Sequence, residues 1–147
     1  MKVAIGSDHA GFSVKNRIMK YLKSKSIDVQ DFGTDSEEPV DYPDVAVKIA
    51  RAVADSDFDT GILVCGTGIG MAITANKIPG IRAAVCYNEE TARLSREHNQ
   101  ANILTLGARQ FSWPDIQRFV EVFLETPFQN GNRHERRIKK IHQLTQR

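Results

Sequence analysis

Short apolar runs alternate along the chain with segments of helical period. Residues 2–6 read as a strand, and Val14, Ile18, Tyr21 and Leu22 then share one helical face. Residues 27–32 read as a second strand closed by Gly33, and an Asp-, Glu- and Pro-rich loop follows through Pro43. Ala46, Ile49, Ala50 and Val53 recur at i, i+3, i+4 and i+7, the signature of a helix packed on a sheet. Residues 61–65 are apolar on both faces, as a buried parallel strand requires. A glycine cluster leads from there into a helix marked by Ile69, Ala72 and Ile73.

The second half repeats the pattern. Residues 81–87 read as a fourth strand, and Asn88 is placed to cap a helix with Glu89 and Glu90 in its first turn. Residues 102–106 read as a fifth strand. Ser112 caps a helix that has Pro114 in its first turn and buries Ile116, Phe119, Val120 and Phe123. Beyond Pro127 a basic helix is expected from about 133 to the end. This alternation predicts a three-layer α/β/α Rossmann-like domain, with a five-stranded parallel sheet and a C-terminal basic helix. Strand order is not encoded in the pattern. Ligands of such folds bind beyond the carboxyl ends of the strands.

A length of 147 residues suits one domain over 1–147, able to bury a core without disulfides or metals. The net charge of +2 is too small to argue for nucleic acid or membrane. Cys65 and Cys86 have no C-x-x-C spacing, so reduced thiols are the simplest reading. The N-terminus reaches charge too early for a signal peptide, and no apolar run approaches the ~20 residues of a bilayer span. A cytoplasmic location is expected.

The glycines of Cys65-Gly66-Thr67-Gly68-Ile69-Gly70 alternate between a strand and a helix. Backbone amides there can approach a phosphate or an enediolate oxygen, and the helix N-terminus favours negative charge. Met71 replaces the last small residue of a dinucleotide fingerprint, and no Gly-Lys-Ser/Thr follows a glycine at P-loop spacing. A thiolate at Cys65 would be stabilised by the helix start and could take a proton beside a carbonyl, with Thr67 as donor or relay. A buried structural cysteine is the plainer alternative, and Cys86, without glycines, is read that way.

Asp8 and His9 follow the first strand. Asp8 is a candidate acid or only a helix cap, and His9 a phosphate contact or only a solvated imidazole. His98, near a helix end, is an acid–base candidate or a surface histidine. Arg133 and Arg137 stand at i, i+4 and can converge on one anion. Their basic surroundings also fit a solvated helix or a nucleic-acid contact, although Ile138, Ile141 and Thr145 form a stripe for docking on protein.

Taken together and in order, these residues resemble the type B ribose-5-phosphate isomerase family, which also holds allose-6-phosphate and galactose-6-phosphate isomerases. The resemblance rests on Gly-Ser-Asp-His-Ala-Gly at 6–11, Asp41-Tyr42-Pro43, the glycine cluster at 65–70 and Ala75-Asn76-Lys77. It continues through Gly80-Ile81-Arg82-Ala83, Ser95-Arg96-Glu97-His98-Asn99, Leu106-Gly107-Ala108-Arg109 and Arg133-His134. Each motif is weak alone, and the collinear set is specific.

The resemblance implies an intramolecular oxidoreductase that interconverts ribose 5-phosphate and ribulose 5-phosphate through a cis-enediolate. It implies Cys65 as the base and Thr67 as its assistant. The amides of Gly66, Gly68, Ile69 and Gly70 would receive the enediolate oxygen. Asp8 and His98 would open the furanose ring. His9, Arg109, Arg133 and Arg137 would grip the phosphate, with Tyr42 and Asn99 as further substrate contacts. Some members carry a glutamate base at the position of Met71, which leaves Cys65 for that role here. Sites would be shared within a homodimer, alone or paired into a tetramer, with no metal and no organic cofactor. Asn132 departs from a glycine common in the family. An isomerase of a six-carbon sugar 6-phosphate and a non-catalytic sugar-phosphate binder are the alternatives. Binding of nucleic acid or membrane is not expected.

Overall fold

The computed structural model describes residues 1–146; Arg147, which the sequence reading included in the last helix, lies outside the described residues. Strand β1 (Lys2–Ser7) leads through a 3-10 turn, His9–Gly11, into α1 (Phe12–Ser24). Then follow β2 (Asp28–Asp31), α2 (Tyr42–Ala54), β3 (Thr60–Cys65) and α3 (Ile69–Ala75). The chain continues with β4 (Ala83–Val85), α4 (Glu89–Asn99), β5 (Ile103–Gly107), α5 (Trp113–Glu125) and α6 (Arg133–Thr145). All strand pairs are parallel, in the order β2-β1-β3-β5-β4. The fold is the expected three-layer α/β/α arrangement with a basic C-terminal helix.

Side-chain alternation along the central strands builds two apolar layers. Val3, Ile5, Ile62, Val64, Leu104 and Leu106 face α1, α4 and α5. Ala4, Leu63 and Ile103 face α2 and α3. Ala46, Ile49, Ala50 and Val53 of α2 are all buried, as their period predicts. Truncating fully buried Ile49 to Ala would cost about 2–5 kcal/mol. Ser112 and Asn88 cap α5 and α4 as expected, Asn88 in a reciprocal box with Thr91.

Strand β4 is shorter than the expected 81–87, for reasons visible at both ends. The Ile81 amide closes a turn onto the Ile78 carbonyl, and the Tyr87 and Asn88 amides donate to Thr91 Oγ1 instead of a ladder. In α3, Ala72 is buried, but Ile69 and Ile73 stand 52% and 59% exposed on one face. Two isoleucines one turn apart form an apolar face that the chain does not cover for itself.

Candidate active site

The carboxyl ends of β1, β3 and β5 meet at one edge of the sheet. Cys65 pairs in register with Gly107, and the Ala108 and Arg109 amides donate to the carbonyls of Cys65 and Gly66. Cys65 is 5% exposed, and its sulfur accepts a 3.0 Å hydrogen bond from the Gly68 amide. Gly68 is left-handed at φ +81, and a Cβ there would lie 3.0 Å from the Leu106 backbone. That backbone turn is what aims the Gly68 N–H at the thiol, and only glycine adopts it without strain. Thr67 is exposed, its hydroxyl accepting from the Ile69 amide at 3.2 Å. The Arg109 guanidinium lies over Gly66, and the Tyr42 ring lies over Gly70, both where a Cβ would reach them.

Asp8 and His9 border the same edge. The Asp8 amide donates to the Val64 carbonyl, and its carboxylate accepts from Gly11 N–H at 3.1 Å. Asp8 is therefore a helix cap, and a buried one. His9 Nδ1 accepts from the Val40 amide at 3.3 Å, so in the neutral ring Nε2 carries the proton and is the donor. Asp8, His9, Tyr42, Cys65, Gly66, Thr67, Gly68, Ile69, Gly70 and Arg109 thus share one edge.

The other candidates lie elsewhere. Helix α4 runs back from the carboxyl end of β4, so His98 and Asn99 reach the amino edge of the sheet. The Arg82 guanidinium, at the start of β4, donates to the carbonyls of Asn99 and Gln100. The Asn102 carbonyl at that edge accepts from Thr60 Oγ1 at the start of β3. There the His98 ring stacks on His134 of α6, with Arg133 and Arg137 exposed on α6. Desolvation, then the adjoining His98, Arg133 and Arg137, hold the His134 imidazole below its ordinary pKa. A cavity of about 590 Å³ opens beside this end of the sheet, bordered by Ile78, Arg82, Asn99, Ile141 and His142.

The chain matches the family model described as ribose/galactose isomerase over residues 3–141. It is 42% identical to ribose-5-phosphate isomerase B of Escherichia coli (strain K12) over 146 residues, 99% of this chain and 97% of that protein. The chain belongs to the ribose/galactose isomerase family. Among solved structures, ribose-5-phosphate isomerase B of Clostridium thermocellum superposes with a TM-score of 0.97 at 49% identity, covering 99% of this chain and 98% of that one. The Mycoplasma genitalium enzyme, solved with bound ribulose 5-phosphate, gives 0.93 at 41% identity over 99% and 96% of the two chains.

In this member of the ribose/galactose isomerase family, three further residues have structural partners that the sequence does not state. His134, which the sequence offers only within the Arg133-His134 motif, is the stacking partner of His98. Asn132, the departure from glycine, caps α6 by accepting from the His134 amide at 2.8 Å. Lys15 is fully buried and salt-bridged to Asp31. Its spacing from Ile18 and Leu22, i, i+3 and i+7, was the available signal. Met71 is fully buried in the apolar layer that includes Cys65. Among the described residues, no group of three or more His, Cys, Asp or Glu side chains is arranged to hold a metal ion, and no helix is long and apolar enough to cross a membrane.

Proposed function

We propose that this protein interconverts ribose 5-phosphate and ribulose 5-phosphate, with Cys65 as the base. After ring opening, the Cys65 thiolate removes the proton from C2. The electrons of that C–H bond form the C1–C2 double bond, and the aldehyde oxygen takes up the charge. The Gly66 and Gly70 amides receive that oxygen, and those of Gly68 and Ile69 turn to it from the Cys65 sulfur and the Thr67 hydroxyl that they otherwise serve, each good donor being worth roughly 10²–10³ in rate. The sulfur then returns the proton to C1, while the O2 proton passes to O1 with Thr67 as relay, leaving the ketone at C2. Asp8 and His98 open the furanose. His9, Arg109, Arg133 and Arg137 hold the phosphate, and Tyr42 and Asn99 complete the pocket. Anchoring the non-reacting end supplies orientation.

The observation that carries this reading is the Cys65 sulfur on the Gly68 amide, at the edge where Arg109 lies over the loop. Cys65→Ala tests it. The variant is expected to fold and to lose both conversion of ribose 5-phosphate and deuterium uptake at C1 of ribulose 5-phosphate. Retained activity would remove the mechanism. Allose 6-phosphate and galactose 6-phosphate as parallel substrates fix the sugar.

The topology supports a site shared between two copies. A six-residue strand and an 11-residue helix each span roughly 16–20 Å. His98, Asn99, Arg133 and Arg137 of one chain therefore lie a sheet's height from its own Cys65. A two-fold pairing over the exposed Ile69–Ile73 face brings the amino edge of one copy to the carboxyl edge of the other.

A further inference from the structure

We propose that Lys15 is a positioning residue that acts on Asp8 through a clamp between α1 and the end of β2. The inference rests on the assignment of Asp8 to ring opening. Lys15 is fully buried, although it stands on α1 where a lysine ordinarily reaches solvent. Its ammonium donates to both Asp31 carboxylate oxygens, at 2.8 and 2.7 Å, and to the Thr34 carbonyl at 2.5 Å. All three of its protons are thereby satisfied by one segment, residues 31–34. Asp31 also accepts from the Gly33 amide at 2.9 Å, which locks that segment's own turn.

The clamped segment holds the residue before Asp8. The Ser7 amide donates to the Gly33 carbonyl, and the Thr34 amide donates to the Ser7 carbonyl, both at 2.8 Å. The helix that carries Lys15 holds Asp8 from the other side. Its N-cap is Gly11, whose amide donates to the Asp8 carboxylate. Asp8 is thus held between these two elements, with its amide on the Val64 carbonyl of β3, and the Lys15 ammonium ties the 31–34 segment to α1 beside its carboxylate. Ser7 has a buried hydroxyl without a hydrogen-bond partner in the structure, so its side chain adds no polar anchor to its backbone bonds. A neutral side chain at position 15 frees the 31–34 segment to shift, and Asp8 with it. A displacement of about 1 Å at an acid–base group is enough to cost on the order of 10²-fold in rate.

The test separates ring opening from enolisation. Ribose 5-phosphate is a furanose that must open. Ribulose 5-phosphate, its fifth oxygen phosphorylated, has no furanose and reports enolisation alone through deuterium uptake at C1. The variant is Lys15→Met with Asp31→Asn, which removes the ion pair without leaving one charge buried and alone. Lys15→Met by itself, which leaves the unpaired charge on the partly exposed Asp31, is the second variant should the first fail to fold. The expected result is a fall of roughly tenfold or more in the ratio of ribose 5-phosphate turnover to deuterium uptake. An unchanged ratio, whether both rates hold or fall together, overturns the proposal, because a merely structural lysine would lower both alike. Asp8→Asn is measured beside it. If that variant separates the two rates and the clamp variants do not, the clamp alone is wrong. If Asp8→Asn leaves the ratio unchanged, the ring-opening assignment fails and the clamp's role goes with it.

Discussion

The rings of His98 and His134 lie face to face, with centroids 4.0 Å apart and planes within 8°. Desolvation in the stack is the main penalty on protonating His134, and the neighbouring His98, Arg133 and Arg137 add to it. The folded-state pKa lies below the ordinary histidine value. Between the two values the unfolded chain binds more protons than the folded one, so stability rises with pH there and is lost on acidification. Thermal unfolding of the wild type is expected to shift down as pH falls from about 6.5 toward 5, and His134→Gln is expected to flatten that limb. Parallel profiles for the two proteins would show that the stack does not carry the effect.

The Tyr42 ring sits where a side chain at Gly70 would go, with Cζ 2.5 Å from the position of a Cβ. Gly70→Ala must therefore displace the tyrosine, which is 40% exposed and able to move. The expected outcome is a severalfold rise in KM for ribose 5-phosphate. In a Tyr42→Ala background the same glycine substitution is expected to add little, a coupling of about 0.5–3 kcal/mol in a double-mutant cycle. Additive effects would mean that Gly70 serves the site through its amide and not through the room it leaves.

Cys86 is the internal contrast to Cys65. It also follows a strand, but it is 1% exposed, burial pushes its thiol up to about 11, and its sulfur contacts Ser95 Oγ at 3.8 Å. A thiol so placed stays protonated at neutral pH. Cys86→Ala is expected to leave ribose 5-phosphate turnover intact and to cost about 1 kcal/mol of stability, read by denaturant unfolding. Loss of turnover with the fold intact would move the reactive thiol from Cys65 to Cys86.

Where local chemistry decides structure, the sequence could be read directly. The period of Ala46, Ile49, Ala50 and Val53, the caps at Asn88 and Ser112, and the glycine loop after β3 all depend on neighbours within a turn or two. The family motifs brought the site residues together as a set. What stayed hidden depends on distant parts of the chain. Lys15 reads as a surface residue until Asp31 and Thr34 are seen to surround its ammonium. Strand β4 stops where turns at Ile78 and Thr91 capture its amides. The separation of His98 from Cys65 follows from the direction of α4 across a parallel sheet, which no local pattern states.

That separation gives the most direct test of the account. Cys65→Ala and His98→Ala are each expected to be inactive toward ribose 5-phosphate. Unfolded and refolded together in equal amounts, they are expected to form heterodimers in which one of the two sites has both an intact thiol and an intact imidazole. The mixture is expected to recover about a quarter of wild-type activity, from half the dimers being mixed and half their sites whole. A mixture that refolds to dimers yet stays inactive would mean that Cys65 and His98 do not serve one site from two chains.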